Sequence, residues 1–263
     1  MTEQYQKVKS IAVEAGKIAL RHFEGVSALN VESKGHLDLV TAADREVETF
    51  ISDKLAKAFP GDGIFGEEGA AVEGTTGRTW VIDPIDGTFN FVRGSKDWGI
   101  SIGLFENGTP SFGLVNAPAR GEIFAGGAGV PASLNGQPLP ALRPFEQKYA
   151  AVSVGIHPDI PNEEGLRLLS GVVNDLKVAY RVTGSSVVSL IDIATGTVDG
   201  YIGLGIPSWD ILGMLPCLKE LGVSTTVNWE TSGLDTKLDF ACGRPEMLAL
   251  SERVLGTPVS GGH

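Results

Sequence analysis

The run Trp80-Val81-Ile82 delivers Asp83 and then Pro84-Ile85-Asp86-Gly87-Thr88. Two carboxylates this close at the end of a buried strand repel each other and lose hydration, a penalty that a bound cation removes. Oxygen ligands without His or Cys nearby favour Mg²⁺ over zinc. Pro84 predicts a turn, and Gly87 and Thr88 are expected to open a helix whose N–H groups suit a phosphate. The plain alternative is a turn in which Asp83 and Asp86 serve as caps. Upstream, Gly66-Glu67-Glu68-Gly69 brings another carboxylate after an apolar pair, although paired glutamates also fit a solvated surface. Downstream, Pro207-Ser208-Trp209-Asp210 sets Asp210 in the first turn of a helix, where the dipole alone would favour it.

Other segments spell chemistry that their context denies. Gly61-Asp62-Gly63-Ile64-Phe65-Gly66 matches GxGxxG, yet it follows a helical pattern and runs into a strand, the reverse of a dinucleotide fingerprint. Gly99-Ile100-Ser101-Ile102-Gly103 matches the GxSxG nucleophile elbow. The alternation of Trp98, Ile100, Ile102 and Leu104 instead places Ser101 in mid-strand, with no convincing His partner. A serine hydrolase acting through Ser101 is the alternative enzyme, distinguished by indifference to chelators. Asn107-Gly108-Thr109 is a glycosylation sequon by spelling only.

The elements that position these residues follow from periodicity. Val8, Ile11, Ala12, Ala15, Ile18, Ala19, His22 and Phe23 predict a helix over about 3–24. A second starts after Thr41, whose spacing to Asp44 fits a capping box, and stops at Pro60-Gly61. Short strands follow at 64–65, 79–82, 98–105, 111–116 and 122–125, with a hairpin signal at Glu106-Asn107-Gly108. The proline-spaced segment 137–144 is the candidate boundary, giving halves 1–142 and 143–263. Beyond it, strands at 149–154, 178–182, 200–204, 223–227 and around Phe240 alternate with helices at about 162–175, 185–194, 208–221 and 246–255. The expectation is a layered α+β or α/β protein with its chemistry between two halves.

Composition bounds the partners. The chain has 263 residues, 42% of them hydrophobic, with 21 Lys+Arg against 32 Asp+Glu, a formal charge of −11. That size buries a substantial core, and that charge argues against nucleic-acid polymers and anionic membranes. No long apolar run predicts a membrane span, and Met1-Thr2-Glu3-Gln4 lacks a signal peptide's basic-then-apolar order, so the cytoplasm is the expected compartment. The cysteines, Cys217 and Cys242, read as small core residues, and the histidines 22, 36, 157 and 263 are too scattered for a metal motif. Thirty-five glycines imply tight turns and close backbone approaches.

Together the motifs resemble the inositol monophosphatase superfamily. The resemblance spans Asp38-Leu39-Val40-Thr41 with Asp44, Gly66-Glu67-Glu68, Asp83-Pro84-Ile85-Asp86-Gly87-Thr88, Asn135-Gly136, Gly184-Ser185-Ser186 and Trp209-Asp210, in the family's order. It implies an αβαβα sandwich of the sugar-phosphatase type and commonly a homodimer. It also implies two or three Mg²⁺ ions held by Glu67, Asp83, the Ile85 carbonyl, Asp86 and Asp210. Glu67 and Thr88 would orient and deprotonate the attacking water, with Asp44 supporting Thr88. Substrate contacts would come from Asp86, Gly87, Thr88, Asp210 and, toward the organic part, Ser185 and Ser186, whose placement equally fits helix capping. Lys34 would lie near the phosphate or a metal, or else is a solvated loop lysine.

The implied activity is lithium-sensitive, Mg²⁺-dependent hydrolysis of a small soluble phosphate monoester. A binding protein that lost catalysis is the non-enzymatic alternative, disfavoured because every matched ligand is present. Inositol-preferring members carry a glutamate where this chain has Gly203, so inositol phosphates are expected to be secondary to another ester: histidinol phosphate, a sugar phosphate or bisphosphate, or a nucleotide 3'-phosphate.

Overall fold

A computed structural model describes residues 3–26, 31–35 and 38–255, apart from the side chains of Gln4, Lys34, Asp38 and Leu39. Helix α1 (Glu3–Glu24) buries Val8, Ile11, Ala12, Ala15, Ile18 and Ala19, the stripe its spacing predicts. A hairpin of β1 (Val31–Gly35) and β2 (Asp38–Thr41), unforeseen from the sequence, leads into α2 (Ala42–Ala58). Thr41 and Asp44 form the expected capping box there.

The first large sheet contains β3 (Gly63–Gly66), β4 (Ala71–Val72), β5 (Arg78–Asp86), β6 (Gly99–Glu106) and β7 (Thr109–Ala117), then β8 (Glu122–Gly127), β9 (Val130–Leu134) and β10 (Gln137–Pro138). Their order is β10-β9-β8-β7-β6-β5-β3-β4. The short helix α3 (Thr88–Val92) follows β5. Asn107 and Gly108, with φ of 51° and 83°, make the two-residue hairpin turn between β6 and β7.

The second sheet, ordered β12-β11-β13-β15-β14, holds β11 (Ala151–Ile156), β12 (Ala179–Arg181), β13 (Gly200–Ile206), β14 (Ser224–Thr225) and β15 (Leu238–Gly243). Its helices are α4 (Asn162–Gly171), α5 (Ser186–Ala194), α6 (Ser208–Leu212), α7 (Leu215–Glu220) and α8 (Pro245–Leu255). Three apolar clusters define the layers. Helices α1 and α2 cover one face of the first sheet through Val47, Ile51, Trp80 and Ile102. Leu190, Ile211 and Leu215 of α5–α7 lie with Val115, Phe124, Tyr201 and Phe240 in a core joining the two sheets. Leu168 and Met247 of α4 and α8 close the outer face of the second sheet. The result is the expected αβαβα sandwich.

Three local expectations change. β5 does not turn at Pro84 but continues to Asp86 through a bulge, where Asp83 faces Ser101 and Asp86 faces Gly99. Pro84 has no N–H to give the ladder, and a bulge is where a sheet tolerates that. The helix expected over 208–221 breaks at Gly213-Met214. A Cβ on Gly213 would sit 2.5 Å from Ser101 Oγ and 3.0 Å from Leu114 O, and Pro216 falls in the first turn of α7. The helix expected over 162–175 ends at Gly171 and continues as a π-helical turn, Val172–Leu176.

A stripe of glycines seats α6 and α7 on the first sheet. Gly103, Gly113 and Gly126 pair across β6, β7 and β8. A Cβ on Gly103 would lie 2.7 Å from Leu212 Cβ, one on Gly126 2.6 Å from Cys217 Cα, and one on Gly113 would run into the Gly213 carbonyl. The helix backbone therefore rests directly on the strands.

Candidate active site

Parallel strands β3 and β5 end side by side, with Gly66 opposite Ile82, so the residues that follow emerge at the same edge of the sheet. Glu67 leaves β3 there, its N–H donating to Ile82 O, while Asp83 and Asp86 leave through the β5 bulge. Asp210 arrives from the second half, in the first turn of α6. Ser101 secures it: its hydroxyl donates to Trp209 O at 2.8 Å and accepts from Gly213 N–H at 3.2 Å. The serine of the GxSxG spelling is thus a fully buried mid-strand residue engaged with the backbone of α6.

Asp83, Asp86 and Asp210 each offer a carboxylate oxygen within 4.8 Å of the others. Burial, then the charges of Glu67, Asp86 and Asp210, hold Asp83 well above the usual carboxylate range. Asp210 is raised by burial and by Asp86 and Glu67. Asp83 Oδ1 accepts from Ile85 N–H at 3.0 Å, but its Oδ2 is buried with no hydrogen-bond partner. A buried carboxylate oxygen without a donor, facing other acids, is the environment a divalent cation neutralises. The residues present fit such an ion, and the Ile85 carbonyl and Glu67 stand at the same edge.

Thr88 joins this cluster to Asp44. Its hydroxyl lies 3.1 Å from Asp44 Oδ1 and 3.0 Å from Ile85 O, two acceptors for one proton. Asp44 is fully buried, and its Oδ2 accepts from Thr41 N–H at 2.8 Å and Thr41 Oγ1 at 2.6 Å. Burial raises its pKa, and the hydrogen bonds from Thr41 and Thr88 oppose the rise. Gly87 has φ of 90°, and a Cβ there would meet Asp97 O at 2.9 Å, so glycine is required at the head of α3. The first N–H groups of α3 have no intrahelical acceptor.

Ser185 and Ser186 face protein carboxylates first. Ser185 Oγ donates to Asp86 Oδ2, which also receives Val187 N–H at 2.6 Å, while Ser186 N–H reaches Asp86 Oδ1 at 3.3 Å. The N-terminus of α5 thus cradles Asp86, and these donors hold its burial-raised pKa to about 6. Ser186 Oγ meets Tyr201 OH at 2.9 Å and donates to Asp210 Oδ2 at 3.0 Å. Both serines also line a cavity of about 310 Å³ that runs from Glu67, Asp86 and Asp210 into the space between the halves. Lys34 lies on β1, its side chain outside those described. Cys217 and Cys242 are buried, and burial pushes both thiols up to about 12, as inert core residues require.

Sequence reasoning missed several supporting residues. Glu48 is buried and accepts from Glu68 N–H at 2.8 Å and Ala70 N–H at 2.9 Å, pinning the loop that carries Glu67. Its signal was legible: Asp44 and Glu48 share the face of α2 that Ile51 and Leu55 continue, so two acids occupy core positions. Asn90 Nδ2 donates to Asp97 O and Thr183 O, tying α3 to the segment before α5. Nothing local announced Asn90 or Tyr201.

A model of the inositol monophosphatase family matches residues 1–253. The chain is 34% identical over 210 residues to an inositol-1-monophosphatase of Bacillus subtilis, covering 77% of this chain and 78% of that one. It is 32% identical over 228 residues to a histidinol-phosphatase of Chlorobaculum parvum, covering 84% and 85%. Among solved structures, the extragenic suppressor protein suhB of Bartonella henselae superimposes with a TM-score of 0.87 at 25% identity, covering 98% of this chain and all of the other.

Proposed function

The chain belongs to the inositol monophosphatase family, and from that premise we propose how its own residues carry out metal-dependent hydrolysis of a phosphate monoester. Glu67, Asp83, the Ile85 carbonyl, Asp86 and Asp210 hold the metal, which we infer to be Mg²⁺ in two or three sites because every donor is a hard oxygen. When bound, the ions supply Lewis acidity for the attacking water and for the departing alkoxide. The observation that carries this reading is the buried, unpartnered Asp83 Oδ2 inside a cluster of acids.

Thr88 donates its proton toward Asp44, which leaves hydroxyl lone pairs to accept from a water and orient it. Glu67, half-buried as Asp210 is, takes the water's proton. The N–H groups of Gly87 and Thr88 receive the phosphate. Asp86 and Asp210, held by Ser185 and Ser186, line the cavity that would take the alcohol portion of the ester. Residues 1–142 supply most ligands and 143–263 supply Asp210 and the alcohol-side wall. A homodimer, lithium inhibition and a cytoplasmic place of action belong to the same reading on family grounds. Among the described residues no helix is long and apolar enough to cross a membrane.

The preferred substrate is a small phosphate ester other than inositol phosphate, with inositol phosphates secondary to it. Gly203 supports this, since a Cβ there would lie 2.6 Å from Ile206 Cγ1 and 2.8 Å from Phe240 Cε1, which excludes an acidic acceptor from that point of β13. Phosphate release from a panel of esters, with Mg²⁺ and with EDTA, tests the chemistry. Turnover is expected only with metal, and Asp83→Asn should abolish it at saturating Mg²⁺. Chelator-resistant turnover, or full activity of that variant, would sink the assignment.

A further inference from the structure

Beyond the acids, the 310 Å³ cavity changes character. Its walls are Val154 and Ile156 of β11, Ile206 at the end of β13, Val182 after β12, and Phe89 of α3. Phe89 is 45% exposed and Val182 67% exposed, so the apolar lining reaches the open surface. Exposed apolar side chains continuous with a concave apolar wall mark a surface that an apolar ligand covers.

The hydroxyls in this part of the cavity are engaged within the wall. Thr183 Oγ1 donates to Ser185 O at 2.7 Å and meets Ser189 Oγ at 2.8 Å, and Tyr201 OH meets Ser186 Oγ at 2.9 Å. Two adjoining strand positions at or behind this wall accept no side chain at all. Gly155 and Gly203 pair across β11 and β13; a Cβ on Gly155 would run into the Tyr201 hydroxyl, and one on Gly203 into Ile206 and Phe240. His157, also in the lining, has Nδ1 accepting from Asp159 N–H at 3.2 Å. Lys237 Nζ stands 3.3 Å from the same nitrogen, so this imidazole is engaged with its neighbours.

Building on the phosphatase reading, we infer that this enzyme selects phosphate monoesters whose alcohol portion presents an apolar or aromatic ring and few hydroxyls. The cavity has about twice the ~150 Å³ that accommodates a benzene ring in an apolar protein interior, enough for one ring on a short arm. A ring rich in hydroxyls meets Val154, Ile156 and Ile206 with groups that need partners, and each unpaired hydroxyl costs roughly tenfold in binding. Each methylene that leaves water instead gains about fourfold.

The test compares kcat/KM of the Mg²⁺-loaded protein for benzyl phosphate and cyclohexylmethyl phosphate against myo-inositol 1-phosphate and glycerol 2-phosphate. All four are alkyl esters, and neighbouring hydroxyls make the polyols the better leaving groups, so leaving-group acidity does not favour the ring esters. The ring esters are expected to exceed the polyhydroxylated ones by about tenfold or more. Val182→Ser and Phe89→Ser should each shrink that ratio by about threefold or more. Equal or better turnover of myo-inositol 1-phosphate, or a ratio unmoved in both variants, overturns the inference. Calorimetric affinities of the same esters for the Mg²⁺-loaded Thr88→Ala variant separate the two claims. If no ester is turned over yet the ring esters bind most tightly, the phosphatase reading fails and this inference stands; if myo-inositol 1-phosphate binds best, this inference fails.

Discussion

At Thr88 one proton chooses between two acceptors, Asp44 Oδ1 and Ile85 O, at nearly equal distances. A cation at the Ile85 carbonyl would draw on that oxygen's lone pairs and turn the hydroxyl proton toward Asp44. Asp44 has no other visible work at the site: its second oxygen is saturated by Thr41. The pair is therefore a device for aiming the lone pairs of Thr88. Thr88→Ala should lower kcat on the order of a hundredfold with little change in Mg²⁺ affinity, and Thr88→Ser should restore most of it. Metal titrations monitored by activity and by calorimetry check this. Loss of Mg²⁺ binding with kcat intact at saturating metal would reverse the roles.

At the level of elements, the glycine stripe on β6, β7 and β8 sets where Asp210 stands. Backbone meets backbone at Gly113 and Gly213, so an added methyl has no flexible side chain to push aside. Gly113→Ala is expected to destabilise the fold by about 1–3 kcal/mol, by overpacking, and to lower the melting temperature by several degrees. Because the displaced segment carries Asp210, kcat/KM should fall further than the lost stability explains at an assay temperature where the variant is fully folded. A variant with wild-type melting and wild-type kcat/KM would show that α6 is positioned by something else, with Ser101 the next candidate.

For the whole molecule, acids from the two halves face one another across the cleft. Asp86 is held near 6 in the folded chain against an ordinary value near 3.8, and Asp83 and Asp210 are raised as well. The folded state thus binds more protons than the unfolded one above pH 4, and the metal-free protein should lose stability as pH rises. For Asp86 alone that loss amounts to about 3 kcal/mol, spread from near pH 4 to a little above 6, with Asp83 and Asp210 extending it upward. Mg²⁺ should oppose it by neutralising the cluster. Thermal melts in EDTA between pH 5 and 8 should therefore fall steadily, and melts in excess Mg²⁺ should stay flatter. An EDTA series that rises over this range would contradict the raised carboxylates.

Local chemistry was legible in the order of residues. The cap at Thr41, the hairpin at Asn107-Gly108 and the delivery of Asp83 and Asp86 at a strand end rest on period and turn residues within a dozen positions, and the structure repeats them. The acids also stood out because apolar strands that end in carboxylates need a reason. What only the tertiary structure decided involves partners far apart in the chain. Ser185 clasps Asp86 from 99 residues away, and Ser101 reaches Trp209 from 108. The expected helix over 208–221 breaks because a sheet presses on Gly213, and the cavity beside the acids has an apolar wall because Val154 and Ile156 of β11, Ile206 of β13 and Phe89 of α3 meet there. Hydrophobic period reports which face of an element is buried. Which surface it is buried against, and how closely two backbones approach, depends on packing between elements that a linear pattern does not encode.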